Sequence, residues 1–241
     1  MCGRYSLTTP VEMVRDHFDF AELPNLPVRA NIAPRQRVAA VRAGADDGVG
    51  ADGGARHFVW LRWGLIPSWA KDAAIGDRMI NARSESVAEK PAFRDAFRAR
   101  RCLIAADGFY EWRTEGGRKQ PYRITVTDAD VFAFAGIWER WRDPRDGEVV
   151  ETCAILTTEA APALRSIHHR MPVILDPADF SAWLSPGAPA EGARTLLSQP
   201  RMHAFTTYAV STRINSAAND DLSLLARAEP EIDTESQLRL L

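Results

Sequence analysis

Alternation of apolar and polar residues runs through most of the chain and predicts a protein built mainly of β-strands. The segments 37–42 and 58–63 have the apolar, β-branched and aromatic character of strands. Residues 102–112 predict a buried strand, a turn at Asp107-Gly108 and a second strand, and Glu115-Gly116-Gly117 indicates a hairpin. Further strands are predicted over YRITVTD, VFAFAGIWERW, TCAILTT, RMPVIL and FTTYAVST.

Helical periodicity is limited to short segments. Near the N-terminus, Thr9 is predicted to cap a helix, with Pro10 in its first turn and Glu12 completing a capping box. Other short helices are predicted over 91–100, over 160–167 and from Asp176-Pro177 onward. Loops are predicted for a Gly/Asp-rich tract at 43–55 and a Pro/Gly/Ala-rich stretch at 185–193.

Strands with interspersed short helices, in a sequence without a GxGxxG or P-loop motif, predict an α+β fold. We expect a mainly antiparallel, barrel-like β core flanked by short helices. Since the sequence has no internal repeat and no clean linker, one domain is predicted over residues 1–228, followed by an acidic tail over 229–241.

Charge adds one regional feature. The 241 residues carry a net charge of −2, which by itself speaks against a nucleic-acid-binding protein. Residues 28–123, however, hold 18 Lys+Arg against 11 Asp+Glu, and nearly all of these cations are arginine. Arginine binds phosphate with two hydrogen bonds and stacks on bases, so the region predicts a basic face. A compositional preference for Arg over Lys is the alternative explanation.

Composition also argues against a membrane-bound or secreted protein, a disulfide framework and a metal site. No apolar run approaches the roughly 18 residues of a membrane span, and the N-terminal segment lacks the core of a secretory signal. The three cysteines, Cys2, Cys102 and Cys153, have neither paired spacing nor metal-ligand spacing. We therefore expect a cytoplasmic protein with no membrane contact, no metal and no cofactor.

The N-terminal sequence Met1-Cys2-Gly3-Arg4 holds the first candidate for chemistry. Once Met1 is removed, the α-amine of Cys2 has a pKa of about 7.7–8.0, against about 10.4 for a lysine side chain, so part of it is neutral near pH 7. Such an amine forms a Schiff base with an aldehyde, and the adjacent thiol can add to the imine to give a five-membered thiazolidine. The ring-opened sugar of an abasic nucleotide is one such aldehyde. Taken alone, a cysteine at position 2 is more often incidental.

Two further segments could bind DNA. Asn31-Ile32-Ala33-Pro34 is followed by a stretch in which Trp63 and Trp69 could stack on bases, with core packing as the alternative for each tryptophan. In Ile80–Glu85, Asn81 could hold the terminal amine or a sugar oxygen and Arg83 a phosphate. Asn81 could instead cap the next helix.

Two segments could move protons. Glu111 lies among aromatic residues in DGFYEW, where burial would raise its pKa and let it act as an acid or base. A solvent-facing strand position is the alternative. In IHHRMP, a histidine beside an arginine suits a proton donor or acceptor next to a phosphate contact, and a surface or core histidine is the alternative.

The order of these motifs along the chain resembles that of a known family, although no single motif is specific to it. MCGRY, N-x-AP, WGL-P-W, INAR-E, DGFYEW and IHHRMP, with Val210–Asp221 beyond them, closely resemble the SOS response-associated peptidase family, also called abasic-site processing proteins. The resemblance implies that Cys2 is the nucleophile and that Asn81 holds the reacting terminus and sugar. It implies that Glu111 is the acid/base and that His168 assists proton transfer and reversal, with His169 as the alternative. The DNA-binding residues it implies are Arg4, Asn31, Pro34, Trp63, Trp69, Arg83, Thr157 and Arg170.

The resemblance further implies an enzyme that removes its own Met1 and crosslinks to abasic sites in single-stranded DNA. Abasic single-stranded DNA is the expected partner, replication-fork proteins are candidate partners, and the protein is expected to be a nucleoid-associated monomer. Three alternatives stay open. They are an N-terminal-nucleophile hydrolase, such as the glutamine amidotransferases that also begin Met-Cys-Gly, a thiol peptidase acting in trans, and a non-covalent single-stranded DNA-binding module.

Overall fold

A computed structural model of the chain describes residues 2–44, 55–185, 190–198 and 203–228. The strands in these ranges are β1 Tyr5–Leu7, β2 Arg29–Ile32, β3 Arg37–Ala43, β4 Arg56–Trp63, β5 Asn81–Arg83, β6 Arg101–Ala106, β7 Gly108–Glu115, β8 Arg118–Val126, β9 Phe132–Arg142, β10 Val149–Glu159, β11 Arg170–Pro172, β12 Ile174–Leu175 and β13 Phe205–Ala209. The α-helices are α1 Val11–Phe18, α2 Arg94–Ala99, α3 Phe180–Leu184 and α4 Ala190–Ser198. Short 3-10 helices cover Ala73–Arg78, Pro162–Leu164, Pro177–Asp179, Thr212–Asn215 and Leu222–Leu225.

Five strands close into a barrel. The order β10-β4-β3-β6-β9 is completed by pairing between β9 and β10, whose register runs from Val149↔Arg142 to Ile155↔Gly136. Closure leaves these five strands without a free edge along the paired stretch. Most pairings between strands are antiparallel. The two parallel strand pairings in the described part of the chain join β10 to β4 and to β5, and one isolated parallel bridge joins Phe20 to Arg56. The predicted α+β fold with a mainly antiparallel, barrel-like core is confirmed.

A second, antiparallel sheet of order β13-β8-β7-β1-β2 packs against the barrel. Tyr5 of this sheet makes edge-to-face ring contacts with Trp63 and Phe134 of the barrel, with centroids 5.4 and 5.6 Å apart. Phe109 also meets Phe134, at 6.1 Å. All four rings are fully buried, so they form the core between the two sheets.

The chain passes from the barrel to the second sheet at Asp107. The sequence predicts a strand, a turn and a strand here, and both strands are present. They do not pair with each other, because β6 pairs with β3 and β9 whereas β7 pairs with β1 and β8. The hairpin predicted at Glu115-Gly116-Gly117 does form, between β7 and β8.

Several local predictions need correction. Thr9 does not cap α1, because its hydroxyl donates instead to the Asp130 carbonyl at 2.8 Å and Pro10 occupies the cap position. The predicted strand over 170–175 is divided, since β11 pairs with β10 whereas β12 pairs with β9. The helix predicted over 160–167 is a 3-10 turn at Pro162–Leu164.

Other predictions fall partly outside the described residues. The undescribed parts are residues 45–54 of the 43–55 loop, residues 186–189 of the 185–193 loop and the whole acidic tail over 229–241. The rest of the 185–193 prediction needs correction, because residues 190–193 begin helix α4 and are not loop. In the described ranges, no helix is long and apolar enough to cross a membrane.

Candidate active site

The last residues of β10 organise the site. A strand has two hydrogen-bonding edges, and Thr157 pairs with Arg83 of β5 on one edge and with Pro172 of β11 on the other. Asn81 therefore enters the site from one side of β10, at the start of β5. His168 enters from the other side, two residues before β11.

The N-terminal segment brings Cys2 to the same place. The Tyr110 amide donates to the Arg4 carbonyl at 3.0 Å, so the chain leading to Cys2 runs beside β7. The Asn81 side-chain amide donates to the Cys2 carbonyl at 2.7 Å. Cys2 itself is fully buried, with its Sγ 3.8 Å from the Arg4 carbonyl. Cys2 and Asn81, 79 positions apart, are thus held by a direct hydrogen bond.

Asp107 fastens this segment at its other end. Its carboxylate accepts hydrogen bonds from the Ser6 hydroxyl at 2.6 Å, from the Thr8 hydroxyl at 2.7 Å and from the Thr9 amide at 3.1 Å. Arg123 lies 3.3 Å from the same carboxylate and balances its charge. An N-terminal segment without such anchors would fray, so Asp107 contributes to the fixed position of Cys2.

Burial changes the acid–base properties of Cys2 and Glu111. It raises the pKa of the Cys2 thiol, and the neighbouring Glu111 carboxylate adds to the effect. The thiol is therefore neutral at physiological pH. Burial also raises the pKa of Glu111 from 4.5 to about 7, so that this carboxyl exchanges a proton close to neutral pH.

His168 faces Glu111 across the site. Its Nδ1 lies 3.9 Å from Glu111 Oε1, beyond hydrogen-bond length. The same nitrogen lies 2.9 Å from the Arg170 amide and 3.0 Å from the Arg170 carbonyl. Burial lowers the pKa of His168, so the ring is mainly neutral at pH 7. The His169 ring stacks on it with centroids 4.4 Å apart.

Three residues that the sequence predicts to bind DNA are buried instead. Trp63 is fully buried, and its Nε1 donates to the Ile80 carbonyl at 2.8 Å, so the prediction that bases stack on it is wrong. Asn31 is also fully buried, and its amide donates to the carbonyls of Ser216 and Asn219, so direct contact with DNA is wrong for it too. Thr157 is likewise inaccessible.

The guanidinium groups of two predicted phosphate ligands have protein partners. Arg4 donates to Asn31 Oδ1 at 2.9 Å and to the Ile214 carbonyl at 2.6 Å, which attaches the 3-10 helix Thr212–Asn215 to the site. Arg170 donates to Glu85 and to the Thr157 carbonyl. Both arginines therefore organise the walls of the site.

Trp69 and Arg83 are exposed and Pro34 is half-buried, so these predicted DNA ligands are accessible. Trp69 has 59% of its surface exposed. It lies on the segment after β4, where Gly64 has a φ of +128° and a Cβ would lie 2.7 Å from the Gly76 carbonyl. Glycine is required there because a side chain would collide with the opposite backbone.

Sequence reasoning missed three organising carboxylates, Glu85, Asp107 and Asp220. The first two lie in motifs that were singled out, INAR-E and DGFYEW, but nothing in the local pattern identifies their partners. Asp220 accepts from the backbone amide of Asn31 at 2.7 Å and pairs with Arg29. Among the described residues, no cluster of His, Cys, Asp and Glu could hold a metal ion.

Comparison with solved structures gives the class of fold. A protein from Bacteroides thetaiotaomicron superposes with a TM-score of 0.82 at 27% sequence identity, covering 95% of this chain and all of the other. A protein from Bordetella bronchiseptica superposes with a TM-score of 0.73 at 32% identity, covering 87% of this chain and 100% of the other. The barrel with its second sheet is thus an architecture shared by bacterial proteins.

Comparison of sequences gives the family. The family model "SOS response associated peptidase (SRAP)" matches residues 1–217. "Abasic site processing protein YoaM" of Bacillus subtilis (strain 168) is 39% identical over 230 residues, covering 93% of this chain and 97% of the relative. "Abasic site processing protein HMCES" of Gallus gallus is 34% identical, covering 74% of this chain and 60% of the relative. The chain belongs to the SOS response associated peptidase family.

Proposed function

We propose that this protein processes abasic sites in single-stranded DNA by covalent capture through Cys2, after removal of its own Met1. The observation that carries the proposal is the hydrogen bond from Asn81 to the Cys2 carbonyl, which holds Cys2 near Glu111, a carboxyl that itself lies 3.9 Å from His168. The names of the relatives, abasic site processing proteins, agree with it.

The reaction begins at the α-amine. Hydrolysis of the Met1–Cys2 peptide bond frees the amine, which adds to the C1′ aldehyde of the ring-opened sugar and forms a C–N bond. Loss of water from this adduct gives an imine. A neutral thiol beside the amine fits this order, because the amine must react before the sulfur is needed.

Ring closure follows. The Cys2 sulfur attacks the imine carbon, a C–S bond forms, and the thiol proton moves to the nitrogen. The product is a thiazolidine, and the balance over the capture steps is the loss of one water. Intramolecular ring closure makes this product more durable than an open imine.

Glu111 and His168 supply the proton transfers. With a pKa of about 7, Glu111 can give a proton to the departing water and take one from the thiol as it attacks. Glu111 also promotes the opening of the sugar ring, and His168, 3.9 Å away, assists proton transfer and the reversal of the link. The DNA strand would approach along Trp69 and Arg83. Their exposed side chains suit base stacking and phosphate binding, respectively.

The test is the intact mass of the protein before and after incubation with single-stranded DNA carrying one abasic site. We expect the free protein to lack Met1, and the product to equal protein plus DNA less one water. Cys2→Ala should give no adduct, and Cys102→Ala, which removes another buried thiol, should still give it. A protein that lacks Met1 and yet forms no adduct would overturn the proposal.

The same experiment separates the alternatives. Binding of DNA that does not depend on Cys2 or on the abasic site would favour a non-covalent binding module. Turnover of glutamine or of a peptide in trans would favour a hydrolase.

A further inference from the structure

The ion pair between Glu85 and Arg170 lies beside the candidate active site but has no role in the proposed reaction steps. The two terminal nitrogens of Arg170 donate to the two carboxylate oxygens of Glu85, at 2.6 and 3.0 Å. This is the bidentate arrangement that fixes direction as well as distance. Arg170 also donates to the Thr157 carbonyl at 2.6 Å, and only 10% of its side chain is exposed.

This ion pair spans three strands. Glu85 lies two residues after β5, Arg170 is the first residue of β11, and Thr157 of β10 lies between them. Backbone pairing joins each outer strand to β10. The ion pair adds a direct connection between the two outer strands, which approach the site from opposite sides.

Each outer strand carries one part of the site. On the β5 side, Asn81 holds the Cys2 carbonyl. On the β11 side, the Arg170 backbone holds the His168 ring, because Nδ1 can accept from the amide when it lacks a proton and donate to the carbonyl when it has one. The ring therefore keeps one orientation in both protonation states.

We propose that Glu85 is a positioning residue that, through Arg170, sets the distance between the Asn81–Cys2 side of the site and His168. The inference rests on the proposed function for its kinetic consequence. Its structural content, a His168 ring held by the Glu85–Arg170 ion pair, can be tested without any reaction. The charged and polar groups near His168 include Glu111 on β7, the stacked His169 ring, and both the backbone and the guanidinium of Arg170.

The kinetic test compares Glu85→Gln with Glu89→Gln. Both carboxylates are exposed and lie on the turns after β5, but Glu89 has no ion pair among those found in the described residues. We expect Glu85→Gln to slow adduct formation about 10- to 100-fold, as a displacement of about 1 Å in an active site does. Glu89→Gln should react at the wild-type rate, and Glu85→Asp, which keeps the charge, should recover part of the loss.

The structural test is the titration of His168 by NMR in protein labelled at histidine nitrogens. In Glu85→Gln we expect the pKa of His168 to move from its lowered value towards about 6.5, because a ring that is no longer held gains solvent, and desolvation is the largest cause of the lowered pKa. This gain outweighs two smaller opposing effects, the lost hydrogen bond to the Arg170 backbone and the charge of an unpaired Arg170. The pH profile of adduct formation should move with it.

The outcomes are distinct. If wild-type protein forms no adduct, the proposed function fails, and the NMR titration still decides the role of Glu85. If Glu85→Gln titrates and reacts like wild type, the positioning role is overturned and the proposed function stands. A lower Tm with an unchanged His168 titration and pH profile would also overturn it, since Glu85 would then be only structural.

Discussion

Burial gives Cys2 and Glu111 acid–base properties that neither residue type has in water. The thiol is held neutral because an anion in the interior loses its hydration, and Glu111 keeps its proton up to about pH 7 for the same reason. In the proposed reaction this favours the amine as the first nucleophile, with a carboxyl ready to exchange protons at neutral pH. The chemistry of the pair thus depends on where the fold encloses them.

The raised pKa of Glu111 can be tested by replacing it with glutamine and measuring how the free energy of unfolding depends on pH. The raised pKa means that folded protein binds a proton more tightly than unfolded protein does. The stability tied to that proton is therefore present below about pH 4.5 and lost as pH rises through about 7. At about 1.4 kcal/mol for each pKa unit, the rise from 4.5 to about 7 corresponds to about 3 kcal/mol.

Glutamine has the same shape and cannot ionise, so Glu111→Gln should lose less stability than wild type between about pH 5 and about pH 8. Denaturant unfolding of both proteins at the two pH values measures the difference. Equal losses in the two proteins would show that Glu111 has an ordinary pKa.

At the scale of elements, a strand end and the segment after it give two tryptophans of one motif opposite environments. Trp63 is the last residue of β4 and points into the core between the two sheets, where it meets Tyr5. Trp69 lies on the irregular segment that follows and is largely exposed. The segment that contains both tryptophans has no regular strand alternation, so the sequence could not predict that one is buried and the other exposed.

The two tryptophans should therefore respond differently to replacement by alanine. Trp63→Ala should lower the free energy of unfolding by about 3–5 kcal/mol, because it leaves a cavity in the core. Trp69→Ala should change stability by about 0.5 kcal/mol or less and weaken binding of single-stranded DNA by about 1–3 kcal/mol per stacked base.

Denaturant unfolding and fluorescence-anisotropy titration with a labelled oligonucleotide check both expectations. DNA binding that survives Trp69→Ala unchanged would remove Trp69 from the proposed path of the strand.

At the scale of the whole molecule, the barrel and the second sheet meet at Asp107. This residue lies between β6 and β7. Its carboxylate accepts hydrogen bonds from Ser6, Thr8 and Thr9 of the N-terminal segment. It is only 6% exposed and pairs with Arg123 of β8. One carboxylate therefore joins the barrel, the second sheet and the segment that carries Cys2.

Asp107→Asn should lower the free energy of unfolding by about 3–5 kcal/mol, because it leaves Arg123 without its counter-charge in a buried position. The exposed Asp130, whose backbone but not side chain is used by Thr9, offers the matched change Asp130→Asn with little expected effect. Denaturant unfolding of the three proteins compares them. Similar stability of Asp107→Asn and wild type would show that the N-terminal segment is held by strand pairing alone.

The sequence by itself determined the α+β class and most of the longer strands. Strand alternation and turn chemistry are short-range properties, so β3, β4 and the β7–β8 hairpin could be predicted from local patterns. The sequence also singled out Cys2, Asn81, Glu111 and His168, through the order of its motifs. Their hydrogen bonds and distances could not be predicted, because they join residues far apart in the chain.

Only the tertiary structure decided which of the marked residues are accessible. Trp63 and Trp69 belong to the same motif, yet Trp63 is buried and Trp69 is exposed. Likewise, Asn31 and Arg83 are both polar residues of predicted DNA-binding motifs, yet Asn31 is buried and Arg83 is exposed. Barrel closure and the passage of the chain between sheets at Asp107 fix these environments, and both depend on contacts between distant strands. The ion pair of Glu85 with Arg170, 85 positions apart, arises for the same reason, because β10 brings β5 and β11 to its two edges.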